Sequence, residues 1–265
     1  MRFIKMFGDK KQEIKTGLAL GSGGTKGLAH IGALSAFAEE GIEFDIVAGT
    51  SIGSIIGGMY AKRYSPDDMI SLINELNLTS YSTIIKLGLS GITVTGLLKK
   101  VLGDITFDEL KKPFRAVAAD LYSGEEKVMG SGDLCSAMAA SSAMPPVFRP
   151  VLRDGRYLVD GAFLNYVPAD VCKILGADVV VGINLGKEHR TNERSKKMLD
   201  ELYPDNKIPL TDRSKKGYEC SDIMVEPDLS AYRAALTKGA DEMFYAGYYS
   251  VKAKTEEIKK LLRMQ

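Results

Sequence analysis

The chain has 265 residues, 45% of them apolar and 26% charged, with a formal net charge of +1. That length suits one large α/β domain or two small ones, and the composition is ordinary for a soluble globular protein. The near-neutral balance excludes a dedicated nucleic-acid binder, which needs a strongly basic surface.

The first fifteen residues are basic at both ends and lack the apolar core of a signal peptide. Leu18-Ala19-Leu20 is a short apolar strand that feeds the glycine-rich turn Gly21-Ser22-Gly23-Gly24-Thr25-Lys26-Gly27. A helix is predicted from Leu28 to Glu40, capped by Gly41, with Leu28, Ile31, Gly32, Ser35 and Ala38 packed on a sheet. Phe44 to Ala48 reads as the next strand. It runs into Gly49-Thr50-Ser51-Ile52-Gly53, followed by a helix with Ile52, Ile55, Ile56, Met59 and Tyr60 at helical spacing. Strand, glycine turn and helix thus occur twice, which points to a parallel α/β sheet.

Ser65-Pro66-Asp67-Asp68 is a helix start. Tyr81 to Leu102 has few charges and reads either as a cap over an apolar pocket or as an ordinary packing excursion. Phe114 to Leu121 is a buried strand, and Leu134 to Ser141 a small-residue helix halted by Pro145-Pro146. Asp154-Gly155 signals a hairpin into the strand Arg156 to Val159, which leads directly to Asp160-Gly161-Ala162. Val179 to Ile183 is the last clear buried strand. Lys187 to Cys220, charged and weakly periodic, is expected to be a surface loop or flap, and Ala240 to Leu262 one long amphipathic helix. Cys135, Cys172 and Cys220 are scattered and odd in number, which suggests a reducing compartment without disulfides. No apolar stretch reaches the roughly 20 residues a membrane span needs. The expected location is cytoplasmic.

Ser51, with Gly49 and Gly53 two residues to either side, has the nucleophile-elbow pattern of serine acyl hydrolases. A serine on a tight strand-to-helix turn is backbone-strained, and side chains two residues away would collide. The N-terminus of the following helix faces the point where negative charge builds up. The turn at Gly21 to Gly27 fails both nucleotide-binding spacings, because Lys26 stands where a dinucleotide fingerprint needs glycine. Its small residues instead offer N–H groups to an anion, which defines an oxyanion-hole candidate at Gly23, Gly24, Thr25 and Lys26. Two histidines are candidates for the base. His30 lies in the first helix, where a packing role is the more usual one. His189 follows Asp160, giving the Ser…Asp…His order of α/β-hydrolases, but it sits in a solvated stretch. Asp160 ends a buried strand and can take the serine proton directly if an apolar setting lifts its pKa.

The glycine turn, the elbow and Asp160-Gly161-Ala162, in this order, resemble the three signatures of the patatin-like phospholipase family. Gly27-Leu28-Ala29-His30-Ile31-Gly32, Ala140-Ser141-Ser142-Ala143-Met144-Pro145 and Asn165-Tyr166-Val167-Pro168 match as well. The similarity runs from Leu18 to about Pro227. It implies a three-layer αβα sandwich with a mainly parallel central sheet and a Ser51–Asp160 dyad. The glycine turn would be the oxyanion hole, and His30 would have no catalytic role. Ser22 and Ala162 stand where glycine is common in the family. The expected organisation is an extension at 1–16 and one catalytic domain at 17–265, in which 62–106 reads as a cap segment or an ordinary packing excursion and 187–220 as a charged surface loop or flap. The expected activity is phospholipase or lysophospholipase, with no cofactor or metal. The expected partners are a lipid substrate and, transiently, the inner membrane face. The alternatives are a general carboxylesterase or acyltransferase with the same dyad, and a lipid-binding module with little activity.

Overall fold

The computed structural model describes residues 14–75, 93–186, 191–232 and 239–264. β1 (Thr16–Leu20) enters the glycine turn, and a 3-10 turn at Gly24–Gly27 continues into α1 (Leu28–Glu39). β2 (Ile46–Thr50) and α2 (Ile52–Ala61) meet at Ser51, and α3 (Pro66–Glu75) follows. The Ser65 hydroxyl accepts the Asp68 N–H while Asp68 accepts the Ser65 N–H, a reciprocal cap that starts α3. α4 (Val94–Leu102) leads to β3 (Phe114–Asp120), β4 (Glu126–Met129) and α5 (Leu134–Ser141). Asp133 caps α5 by accepting the Ser136 N–H at 2.9 Å. β5 (Val151–Arg153) and β6 (Arg156–Asp160) form a hairpin whose two turn residues, Asp154 and Gly155, both have positive φ. Such a turn matches the twist of the flanking strands. α6 (Ala169–Ile174), β7 (Val179–Ile183), α7 (Glu193–Leu202), α8 (Lys215–Cys220), β8 (Ile223–Val225), α9 (Ala240–Lys252) and α10 (Thr255–Leu261) complete the described chain.

The strands form one sheet in the order β5-β6-β3-β2-β1-β7-β8, with β4 also paired to β3. From β3 through β8 every pairing along that order is parallel, while β4, β5 and β6 add antiparallel pairings beyond β3. The sheet is therefore mixed, with a parallel body and an antiparallel flank. Successive residues of β1 and β2 alternate between two apolar clusters, with Leu18, Leu20 and Val47 on one side and Ala19, Ile46 and Ala48 on the other. Helices cover both faces, which gives the three layers. Among the described residues no helix is long and apolar enough to cross a membrane.

Several local expectations change. α1 is buried nearly all round, whereas Ala38 of its predicted face is exposed. Gly32 does not face the sheet: a Cβ there would run into the Phe244 carbonyl, so the small residue admits the backbone of α9. The last amphipathic stretch is two helices, because Lys254 leaves helical geometry at φ −113° and its ammonium reaches the Met224 carbonyl. β8 is a further strand, parallel to β7, too short to show a pattern of its own.

The charged stretch from Lys187 onward carries α7 and α8. Its few apolar residues do the anchoring, since Leu199 and Ile208 are buried with Leu121, Val159 and Phe163. Buried Asn192 ties the stretch down by donating to the carbonyls of Phe163 and Pro209 and accepting the Thr211 N–H. Of the predicted cap at Tyr81 to Leu102, residues 81–92 lie outside the described residues, and the rest is mainly α4, whose Leu98 and Leu102 join the core.

Candidate active site

Ser51 stands between β2 and α2 with φ 57° and ψ −127°, a conformation rare for any residue but glycine. Holding it costs on the order of 1–3 kcal/mol, which the surroundings must offset. Gly49 and Gly53 are what let α2 lie so close to the sheet. A Cβ on Gly53 would meet the carbonyl oxygens of Leu20 and Gly21, and one on Gly49 would meet the Gly53 backbone. The Ser51 carbonyl accepts the N–H groups of Ser54 at 2.8 Å and Ile55 at 3.3 Å, the first bonds of the turn into α2. Its N–H donates to Ser141 Oγ at 2.9 Å.

Asp160 comes from the other flank of the sheet, at the end of β6. It is 2% exposed, and its Oδ2 accepts the Ser51 hydroxyl at 2.7 Å. Oδ1 accepts the Ala162 N–H at 2.9 Å. Burial pushes this carboxyl up to about 6, and the two hydrogen bonds and the Arg213 charge hold it from going further. Such a group is largely ionised at neutral pH yet basic enough to accept a proton. Arg213 donates to the Ala162 carbonyl at 3.1 Å and lies over the Tyr166 ring, 5.0 Å from its centroid.

The glycine turn is held from outside. The Gly21 and Ser22 N–H groups donate to the Ile183 and Tyr166 carbonyls at 3.0 and 2.9 Å, so Ser22's N–H is spent on the scaffold. His30 is buried, and its pKa falls to about 4, so it stays neutral near pH 7 and donates from Nε2 to the Gly21 carbonyl at 2.7 Å. That places it in the support of the turn, away from the Ser51 hydroxyl. The Lys26 N–H turns back to Gly23 O at 3.3 Å, and its ammonium donates to the Leu229 carbonyl. Gly23 and Gly24 N–H have no acceptor among the described residues. His189 lies outside the described residues.

Ser51, Asp160 and residues 22–26 line one cavity of about 770 Å³. Ile52, Ile55, Phe148 and Leu185 give it an apolar wall. Lys26, Arg194 and Arg213 also line it, and among the described lining residues Asp160 is the one carboxylate. The cavity brings together a hydroxyl–carboxylate contact, the Gly23 and Gly24 N–H groups and an apolar chamber. Among the described residues no cluster of three or more His, Cys, Asp or Glu could hold a metal ion.

Sequence reasoning brought Ser51, Asp160 and the glycine turn to this place but missed two residues. Ser141 stands in a small-residue helix and in a run that supports the family resemblance, neither of which gives it a role, and its contact with Ser51 spans 90 residues of chain. Arg213 lay in a charged stretch where nothing distinguishes it from its neighbours.

The patatin-like phospholipase family model matches residues 18–173. A patatin-like phospholipase domain-containing protein of Caenorhabditis elegans is 36% identical over 193 residues, covering 66% of this chain and 14% of that protein. Patatin-like phospholipase domain-containing protein 7 of Rattus norvegicus is 34% identical over 191 residues, again 66% of this chain and 14% of that one. A neuropathy target esterase of Drosophila melanogaster is 31% identical over 189 residues, 66% of this chain and 13% of its own length. The chain thus spans about one seventh of these relatives. The crystal structure of VipD from Legionella pneumophila superposes with a TM-score of 0.57 at 15% identity, covering 92% of this chain and 67% of that one. At that identity the likeness concerns the fold alone.

Proposed function

The chain belongs to the patatin-like phospholipase family, and from that premise we propose that it is a serine acyl hydrolase. It cleaves fatty-acyl esters of phospholipids and lysophospholipids through a Ser51–Asp160 dyad and an acyl-enzyme. The observation that carries this reading is the 2.7 Å contact between a strained, elbow-held hydroxyl and a buried carboxylate.

The ionised Asp160 accepts the Ser51 proton as Oγ attacks the ester carbonyl carbon. The oxygen of the tetrahedral adduct takes the negative charge and is met by the Gly23 and Gly24 N–H groups. Losing one such donor typically costs on the order of a hundred- to a thousand-fold in rate. As the adduct collapses, the C–O bond to the alcohol breaks, and Asp160 gives its proton to the departing lysolipid or glycerol oxygen. Water then attacks the acyl-enzyme, Asp160 takes a proton from it, and Ser51 leaves reprotonated as the fatty acid departs. The steps need no histidine, in keeping with the neutral, turn-bound His30.

The apolar wall supports an acyl chain. Lys26, Arg194 and Arg213 in the cavity lining, where Asp160 is the one carboxylate among the described residues, support a substrate with an anionic group near its ester, as a phospholipid has. Such a substrate lies in a bilayer or micelle, so the enzyme works in transient contact with a lipid surface. The esterase in the name of the Drosophila relative agrees with ester chemistry.

Intact-mass analysis after a fluorophosphonate probe tests the reading on wild type and Ser51→Ala. One adduct on the wild type and none on Ser51→Ala is expected. A wild type that takes no adduct overturns the reading in favour of a lipid-binding module without turnover.

A further inference from the structure

We propose that the C-terminal end of α5, Ser141 to Ala143, is a brace that sets the spacing between Ser51 and Asp160, with Ser141 as a positioning residue. The inference rests on the dyad reading and adds a part that touches no substrate.

Three bonds converge on this short stretch. The Ser51 N–H donates to Ser141 Oγ at 2.9 Å, and the Ser141 hydroxyl donates onward to the Val117 carbonyl at 2.5 Å. Two residues later, the Ala143 carbonyl accepts the Asp160 N–H at 3.0 Å. One turn of chain therefore holds the main-chain nitrogen of both partners. Ser141 is fully buried, and its hydroxyl bridges the Ser51 N–H and the Val117 carbonyl.

The Val117 carbonyl is the reference point for the arrangement. Val117 is opposite Thr50 in the β2–β3 ladder, so it is registered to the residue before the nucleophile. Gly161, the residue after the base, packs so tightly on it that a Cβ would run into the Val117 oxygen. The brace itself is well anchored, because Asp133 caps α5 and is held by Lys99 at 2.8 Å. The Asp133 carbonyl also accepts an N–H from Arg153 Nη1 at 2.8 Å.

This explains how a strained backbone at Ser51 stays in place. An unpaired buried N–H is costly, so the Ser141 acceptor favours the one peptide orientation that aims Oγ at Asp160. A misplacement of about 1 Å at a reacting atom costs up to about a hundred-fold in rate. The expected signature is a loss in kcat with binding intact.

The test compares Ser141→Ala and Ser141→Cys with wild type and Ser51→Ala, on a soluble p-nitrophenyl ester. Ser141→Ala is expected to lower kcat by about ten- to a hundred-fold with KM within about twofold. The pH midpoint of kcat/KM should stay close to that of wild type, because burial and the Ala162 N–H, the two largest influences on Asp160, are untouched. Hydrogen exchange in the peptide containing Ser51 should speed up. Ser141→Cys, close in volume and a weaker acceptor, should fall in between, and it carries the test if Ser141→Ala does not fold. Wild-type kcat in a variant that merely melts earlier overturns the brace. Turnover retained in Ser51→Ala overturns the dyad reading instead, so the two failures are distinguishable.

Discussion

The two partners of the candidate dyad are delivered by two different kinds of sheet. Ser51 leaves a central parallel strand and enters a helix at once; glycines two residues to either side shape its turn beside β1, and Ser141 is the remote residue that takes its N–H. Asp160 leaves a hairpin strand on the antiparallel flank, and its position is set by residues remote in sequence, namely Ala143, Val117 and Arg213. The Ser51 turn is specified mainly by residues next to it and the Asp160 position mainly by tertiary packing, with the end of α5 touching both. The site is the seam between them, at β2 and β3.

The sharpest way to break that seam is to add a methyl group on either side of it. Gly53→Ala drives a Cβ into the Leu20 and Gly21 carbonyls, and Gly161→Ala drives one into the Val117 carbonyl. These neighbours are backbone and cannot swing aside. Each variant is expected to lose about 3 kcal/mol or more of stability, at or beyond the upper end for overpacking. Denaturant unfolding followed by circular dichroism checks it. Wild-type stability in Gly161→Ala would show that the Asp160 flank is not registered to β3 in this way.

A smaller effect, of opposite sign, separates the two halves. The Asp160 pKa is raised from 3.8 to about 6, so the folded state holds its proton more tightly than the unfolded state does. Wild-type stability from this group is full below about pH 4 and is lost as pH rises through 6, at about 1.4 kcal/mol per unit. Asp160→Asn removes the buried charge and is expected to be more stable than wild type by up to about 3 kcal/mol at pH 8, while losing turnover. That advantage should vanish toward pH 4. His30, whose pKa is lowered to about 4, acts the other way as pH falls below 6.5, but it is common to both proteins and cancels in the comparison. Equal or lower stability of Asp160→Asn at pH 8 would contradict the burial account.

The same contrast explains what was legible in the sequence. The glycine turn, the elbow, β3, α5 and the Asp154-Gly155 hairpin carry their reasons locally, in steric demands and caps, so their positions follow from spacing. Asp160 by itself reads as a turn aspartate, and only its company with the other motifs singled it out. Ser141 and Arg213 were invisible because their work depends on contacts across the fold. The helices at 193–202 and 215–220 were hidden for a related reason. A segment anchored by Leu199, Ile208 and two buried asparagines shows too few apolar residues to reveal a period. The break at Lys254 comes with a contact to the remote Met224 carbonyl, which no local pattern announces.

The most direct measurement of the central claim, that Asp160 takes the Ser51 proton without a histidine, is ester turnover in Asp160→Asn beside His189→Ala. Asp160→Asn is expected to lose on the order of a thousand-fold in kcat, as removing a general base does, and His189→Ala to stay within about twofold of wild type. A loss in His189→Ala as deep as that in Asp160→Asn would contradict the account and assign the site to a histidine triad.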